Sequence, residues 1–399
     1  MDLRLTAPER AFRDRLRAWL ADTLPTLGPG PDRDDWTARR RYDTAWQRTL
    51  FDAGYAGVDW PREHGGLGAT PTEQLIFLEE TARARAPYVG VNFVGLLHAG
   101  PTLIAEGTHA QRARHLPRIL RGEEVWCQGF SEPDAGSDLA SLRTEAVRDG
   151  DHYTVNGRKI WTSNAHVADY CELLVRTGPP GSRHGGITWL ILPMDTPGVQ
   201  VHPLRTTVGS SEFAELVLDD VRIPVTHRVG AENDGWRVAM VTFSFERGTA
   251  FIGDLIESRN LLEETAALAR VTPAPGGGVL WDDAALRRDI GRLAAEVAGL
   301  WALVRKNVSE ATAGRVPVQG ASVFKLRFAE NRQHIDDLAA RVLGRAGLAM
   351  TDLAPKGGGR LVEDRVSTLS YTIAAGSSQV QRNILAERSL GLPKEPRWT

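Results

Sequence analysis

Gly129-Phe130-Ser131-Glu132-Pro133-Asp134-Ala135-Gly136-Ser137-Asp138 decides how the chain is read. The stretch is a strand end running into a loop of small residues, and small residues let another molecule approach the backbone closely. A second element follows in Arg158-Lys159-Ile160-Trp161-Thr162-Ser163-Asn164. It offers a large aromatic face beside hydroxyl and amide groups, suited to a flat conjugated ring with polar edges. Taken singly, the first reads as a turn and the second as a buried Trp. Flanking one hairpin together, they read as a site for such a ring.

The surroundings of the two stretches are β in character. Between Val125 and Pro224 come short runs rich in β-branched and aromatic residues, and strands are predicted at Cys171–Val175, Ile187–Leu192, Val199–His202 and Ala214–Leu218. Asp149-Gly150 and Asn156-Gly157 are tight-turn signals, because these residues tolerate the positive φ of such turns. An antiparallel β domain is expected here. On either side the apolar period is helical. Phe12, Leu16, Trp19 and Leu20 share one segment and Leu75, Ile76 and Leu78 begin another, with Gly/Pro breaks at 27–31 and 60–68. After the β region, Trp236, Met240, Phe243, Ala250, Ile256 and Leu261 fit one long helix, and 273–278 forms a Pro/Gly loop. Further amphipathic helices are predicted at Asp283–Ser309, Val318–Leu343 and Arg382–Ser389. The order is helical, β, helical, with domains expected at 1–124, 125–232 and 233–399.

Bulk properties bound the function. A chain of 399 residues exceeds what one hydrophobic core usually supports. Lys plus Arg number 48 against 50 Asp plus Glu, so nothing suggests a nucleic-acid surface. The two cysteines, Cys127 and Cys171, are too few for a disulfide framework or a zinc site, and no metal is expected. They read as unpaired thiols in a reducing cytoplasm. The longest apolar run, Ile187 to Met194, falls well short of the roughly 20 residues that span a bilayer. The charged opening Met1-Asp2-Leu3-Arg4 is not that of a secretory signal. A soluble, cytoplasmic protein is expected.

The chain resembles the acyl-CoA dehydrogenase family of flavoproteins. The resemblance rests on the two stretches above, on Trp60-Pro61 with Gly65-Gly66, and on Gly376-Ser377-Ser378-Gln379-Val380-Gln381-Arg382-Asn383, and it covers nearly the whole length. It implies a mainly α fold with a β domain: a helical domain, an antiparallel β-barrel-like domain and a C-terminal four-helix bundle. It implies FAD as cofactor, with Gln128, Phe130 and Ser131 contacting the flavin ring, largely through backbone groups. Trp161, Thr162 and Ser163 would wrap the other edge of the ring, and Ser377 and Gln379 would bind the FAD diphosphate region. Ser137, Ser244, Arg247, Ala375 and Gly376 match positions around the acyl thioester.

Removing hydrogen from adjacent carbons needs a base for the α proton, a hydride acceptor for the β hydrogen and a polarised thioester carbonyl. Many relatives carry a Glu immediately before the Gly of the late motif, where this chain has Ala375. The resemblance implies that a backbone N–H at Ala375 would still donate to the thioester carbonyl. Glu246, in Phe243-Ser244-Phe245-Glu246-Arg247-Gly248, interrupts an apolar helical stripe and matches the base position of isovaleryl-type and long-chain members. It is therefore the expected catalytic residue. The expected activity is α,β-dehydrogenation of an acyl-CoA or acyl-carrier-protein substrate, passing electrons to an acceptor such as electron-transfer flavoprotein. The expected assembly is a homodimer or homotetramer, or a heteromer with a homologue, with no nucleic acid and no membrane as partner. Two departures bear on assembly: where relatives carry an Arg and a Phe that reach a neighbouring subunit's FAD, this chain reads Ala269-Arg270-Val271-Thr272-Pro273-Ala274-Pro275-Gly276-Gly277-Gly278, and Arg345 replaces a small residue in Gly344-Arg345-Ala346-Gly347. Alternative readings are a flavin-dependent monooxygenase on the same scaffold and a non-catalytic subunit paired with an active homologue.

Overall fold

A computed structural model of the chain describes residues 4–32, 34–87, 89–179, 181–249, 252–314, 320–348 and 358–394, the side chains of 245–249 and 358–360 excepted. The helices before the β region are α1 (Ala7–Thr23), α2 (Trp36–Asp52), α3 (Pro71–Arg83), α4 (Gly100–Glu106) and α5 (His109–Leu120). Their ends carry the expected chemistry. Asp35 caps α2 by accepting from the Ala38 N–H, and Thr108 with Gln111 closes a capping box on α5.

Among the described residues, eight strands follow: β1 (Trp126–Gly129), β2 (Glu145–Asp149), β3 (His152–Ser163), β4 (Tyr170–Arg176), β5 (Ile187–Pro193), β6 (Val199–Leu204), β7 (Phe213–Pro224) and β8 (Arg228–Val229). They form one sheet in the order β6-β7-β3-β2-β4-β5-β8, with β1 paired to β4. Most pairings are antiparallel, as the hairpin signals implied. The sheet is nevertheless mixed, because β1 runs parallel to β4, and β2 meets β4 in parallel at Glu145 and Arg176. Asp149-Gly150 makes the β2–β3 hairpin, with Asp149 opposite His152. Asn156-Gly157, read as a second tight turn, lies inside β3 instead, where it makes a bulge against β7. Gly157 has φ +153°, and a Cβ there would come within 2.7 Å of the Thr144 backbone. The glycine serves close packing rather than chain reversal.

Cys127 and Cys171, distant in sequence, are register partners on β1 and β4; both thiols are free and buried. Burial pushes the Cys127 thiol well up, which makes it inert.

After the sheet come α6 (Gly235–Thr249), α7 (Ile252–Ala269), α8 (Ala284–Thr312), α9 (Gly320–Leu343), α10 (Gly358–Ser367) and α11 (Ser378–Ile384). The single long helix expected across Trp236–Leu261 corresponds to α6 and α7; residues 250 and 251 between them lie outside the described residues.

The chain forms two compact units. One comprises Met1–Arg17, Pro71–Ala84 and Ala250–Thr399; the other comprises Ala18–Thr70 and Arg85–Thr249. In the first, α3, α7, α8 and α9 bury a common core of Leu75, Ile256, Leu262, Leu293, Val297 and Phe328. The apolar period of α8 and α9 thus faces inward, as an amphipathic bundle requires. In the second, α2, α4, α5 and α6 are fixed to one another and to the sheet by polar ties. Gln111 Nε2 donates to the Thr226 and Arg228 carbonyls, Arg40 pairs with Asp169 at 2.7 Å, and Arg237 pairs with Glu106 at 2.6 Å. Gly235 starts α6 where a Cβ would stand 2.5 Å from the Thr188–Trp189 backbone, so the helix begins flush against β5. No described helix is long and apolar enough to cross a membrane.

Candidate active site

The two stretches singled out in the sequence meet in the second unit. Gln128 and Gly129 end β1, and the chain then turns through Glu132–Ala135, whose backbones exchange hydrogen bonds of 3.0 and 3.1 Å. The Ile160 N–H donates to the Ser131 carbonyl at 2.9 Å, so the loop after β1 lies alongside β3. Phe130 is 3% exposed and meets the Phe243 ring of α6 edge-on, with centroids 5.8 Å apart.

At Trp161 the register of β3 against β7 breaks, between Lys159 and Thr162. Trp161 takes a left-handed φ of +60°, uncommon for a bulky residue, and its indole is 57% exposed. Its ring stands edge-on to Phe213 at 5.9 Å. The sequence expectation of a buried Trp, taken singly, fails here because the bulge turns the indole outward. Thr162 returns to the sheet opposite Ala214, fully buried, and its Oγ1 has no hydrogen-bond partner. Ser163 pairs with Phe213 and is half-buried. An aromatic face held out of a strand beside the half-buried Ser163 suits a flat ring with polar edges, while the Thr162 hydroxyl is sealed inside the sheet.

Beneath this surface lies a buried ion pair that the sequence reading did not assign. Lys159 has no solvent exposure, and its Nζ donates to a Glu132 carboxylate oxygen at 2.8 Å and to the Phe130 carbonyl at 3.2 Å. Glu132 also accepts from the Arg143 N–H at 2.6 Å and the Thr144 N–H at 2.8 Å. Burial acts to raise the Glu132 carboxyl, but the Lys159 charge and the bonds it accepts outweigh this and hold it low. Burial likewise draws Lys159 below the ordinary lysine range. Both residues stand inside the quoted motifs. The available signal was the two-residue period Tyr153, Val155, Gly157, Lys159, which places the lysine on the inward face of β3.

Gln128 is similarly anchored. Its Nε2 donates to Glu172 on β4 at 2.7 Å and lies 3.3 Å from His98 Nδ1, on the π-helical turn Gly95–Ala99.

The remaining expected residues fall as follows. Ser137 is exposed on the loop after β1, and Ser244 is exposed on α6, its hydroxyl donating to the Val241 carbonyl. Glu246 and Arg247 lie on the last turns of α6, and their side chains are outside the described residues. Ala375, Gly376, Ser377 and Gln379 belong to the other unit. There Ala375 and Gly376 are consecutive left-handed residues, φ +53° and +83°. Gln381 Nε2 donates to both their carbonyls, and Ser377 caps α11. Gln379 is exposed. The turn is laced down from behind: Tyr371 donates its hydroxyl to Asp254 at 3.0 Å, Lys325 donates to the Tyr371 carbonyl, and Gln333 Nε2 donates to the Thr368 carbonyl. Among the described residues, no cluster of His, Cys, Asp and Glu is placed to hold a metal ion.

Three family descriptions match consecutive parts of the chain: acyl-CoA dehydrogenase N-terminal domain over residues 6–123, middle domain over 127–221, and C-terminal domain over 233–390. The chain belongs to the acyl-CoA dehydrogenase family, oxidoreductases acting on CH–CH groups with FAD as cofactor. It is 42% identical over 393 residues to acyl-CoA dehydrogenase IpdE1 of Mycobacterium tuberculosis, covering 96% of this chain and 98% of that protein. Among solved structures, the Tcur3481-Tcur3483 steroid ACAD superposes with a TM-score of 0.83 at 31% identity, covering 99% of this chain and all of that one. The ChsE4-ChsE5 complex from Mycobacterium tuberculosis superposes with a TM-score of 0.85 at 34% identity and the same coverage.

The residues present fit FAD. The exposed Trp161 face, the half-buried Ser163 hydroxyl beside it and the pinned Phe130–Ser131 backbone would offer aromatic and polar contacts to the flavin ring.

Proposed function

We propose that the chain carries out FAD-dependent α,β-dehydrogenation of an acyl-CoA thioester, with Glu246 taking the α proton. The observation that supports this most directly is the placement of α6. Phe243 rests on Phe130, beside the residues that fit the flavin, and Glu246 comes one helical turn further along the same helix. Bound FAD supplies the acceptor for the β hydrogen. The protein's part is to hold and to position. Trp161 covers the ring edge, the Glu132–Lys159 pair fixes the backbone after β1, and Ser137, Ser244 and Arg247 line the thioester. For Ala375 and Gly376 the proposal is a backbone donor to the thioester carbonyl, and for Ser377 and Gln379 the FAD diphosphate region.

The acyl group we propose is bulky and ring-bearing, on the strength of the relative described as a steroid ACAD. We also propose assembly with a homologous subunit. The ChsE4-ChsE5 neighbour supports this, as does the departure from the Arg and Phe pattern at Ala269–Gly278. Electron-transfer flavoprotein is the proposed acceptor.

The test is anaerobic titration of the yellow protein with steroid-derived and straight-chain acyl-CoA thioesters. Bleaching by the ring-bearing series is expected. Glu246→Gln should keep FAD and slow bleaching by about 10²- to 10⁴-fold, the usual worth of a positioned base. A parental rate in that variant would remove Glu246 from the mechanism. Oxygen consumption with reduced flavin, without bleaching by any thioester, would favour the monooxygenase reading.

A further inference from the structure

We propose that Thr102 and Thr242 are positioning residues whose paired hydroxyls fix how α6 is turned about its own axis, and so where it carries Glu246. The proposal rests on the reading above that Glu246 takes the α proton. Thr102 lies on α4 and Thr242 on α6, and both are fully shielded from solvent. Their Oγ1 atoms stand 2.9 Å apart, and either hydroxyl can donate to the other. A hydroxyl sealed away from water is costly unless it finds a partner, whereas a valine at either position would fill nearly the same space without that requirement. Neither threonine belongs to the flavin motifs, and the mechanism above gives their hydroxyls no proton to move.

Two ties set the pairing of the helices. In the first turn of α6, Arg237 forms a two-pronged bond with Glu106 of α4, at 2.6 and 2.8 Å. Thr242, further along α6, meets Thr102, one turn back along α4, so the two helices run antiparallel across the contact. The Arg237 side chain is long and half exposed, and it fixes the start of α6 only loosely. The threonine pair is short, buried and directional, and it fixes the rotation. Thr242 Oγ1 also donates to the Val238 carbonyl at 3.3 Å, so it keeps a partner when Thr102 is changed. Glu246 follows Thr242 by four residues and falls on the same face of the helix. On a helix about 10–12 Å across, a turn of about 10° moves a side-chain end by roughly 1 Å, and a misplacement of that size costs about 100-fold in rate. A valine contact has no direction and would let α6 take up part of that angle.

The test measures anaerobic flavin reduction in the FAD-loaded protein over a range of concentrations of the acyl-CoA that bleaches the parent fastest. Thr102→Val removes the hydroxyl and keeps the shape. Its limiting rate should fall about tenfold, with FAD retained and the half-saturating thioester concentration within about twofold of the parent. Thr102→Ser keeps the hydroxyl and gives up the methyl group, so its rate should return to within about threefold of the parent although the core is less well filled. Replacing both threonines by valine leaves neither hydroxyl without a partner, so that variant should melt no lower than the parent yet remain about tenfold slow. A packing role gives the reverse order, with the serine variant the slower. That order, or parental rates in both valine variants, would overturn the proposal. Should Thr102→Val fail to fold, the double variant decides. A parental rate in Glu246→Gln would instead refute the reading beneath the proposal, and the proposal with it.

Discussion

Lys159→Met takes away the ammonium facing Glu132 and leaves a carboxylate in a site with almost no solvent. Removing one partner of a buried pair typically costs about 3–5 kcal/mol. Here Glu132 retains the Arg143 and Thr144 N–H groups, so the lower end, about 3 kcal/mol, is expected. For a unit of this size unfolding on its own, that corresponds to a Tm lower by roughly 6–12 °C. The pH dependence follows from the directions of the shifts. In the parent, Glu132 is held below the usual carboxylate range, so its stabilisation is present above the unfolded value of about 4.3 and is lost as pH falls through the depressed folded value. In the variant only burial and the two N–H groups remain, and burial raises the folded value. That penalty is full at neutral pH and is relieved as pH falls through the raised value. The gap between the two proteins should therefore narrow between pH 7.5 and about 5. Near-UV circular dichroism during heating, at both pH values, measures it. Adding Glu132→Gln to Lys159→Met should recover more than half of the loss at pH 7.5. A fall below about 2 °C, a pH-independent gap, or no recovery in the double variant would refute the argument.

Other outcomes follow from particular residues. Trp161→Ala should weaken FAD binding about 10- to 100-fold through loss of the exposed aromatic face, read by equilibrium dialysis; unchanged affinity would place the flavin elsewhere. Trp161→Gly should melt higher than Trp161→Ala in the FAD-free protein, by about 1 kcal/mol, because glycine carries no penalty at φ +60°. Asp254 is raised by burial, so its charge is a liability above the ordinary carboxylate range; Asp254→Asn should be neutral or stabilising at pH 8 and lose that advantage toward pH 4, as followed by urea denaturation. The protein should scatter light as a dimer or larger at micromolar concentration, alone or with a homologous subunit. A monomer under both conditions would contradict the assembly proposed.

Much of the fold was legible because period and punctuation are local signals. Helices from the Ala284–Thr312 and Gly320–Leu343 stretches, and strands from Ile187 and Val199, differ from expectation only at their ends. What escaped depended on partners far along the chain. Nothing near Trp126 says that β1 will lie parallel to β4, because a parallel neighbour leaves no turn between the two strands. Asn156-Gly157 has the composition of a turn, but Thr144 crowding one face of Gly157 makes it a bulge. Within the site, the motif residues were visible as types, whereas the Lys159–Glu132 and Gln128–Glu172–His98 connections required the register of the sheet. The outward turn of Trp161 also required it, since a two-residue period through Lys159 and Trp161 would have sent the indole inward.

The burial of Lys159 also bears on the chemical durability of the protein. Acyl thioesters transfer their acyl groups to free amines, and an enzyme that handles them works among such reagents. The chain has only five lysines, and its other 43 cationic side chains are arginines, whose guanidinium groups are poor nucleophiles. Lys159 and Lys325 are sealed from solvent, and Lys306 is tied to Glu310 at 2.7 Å. Among the described residues that leaves Lys394 as the amine most open to acylation, well away in sequence from the two stretches that fit the flavin. A protein so short of accessible amines should collect few adducts from its own substrates, and the buried Lys159 ammonium should be the last to react.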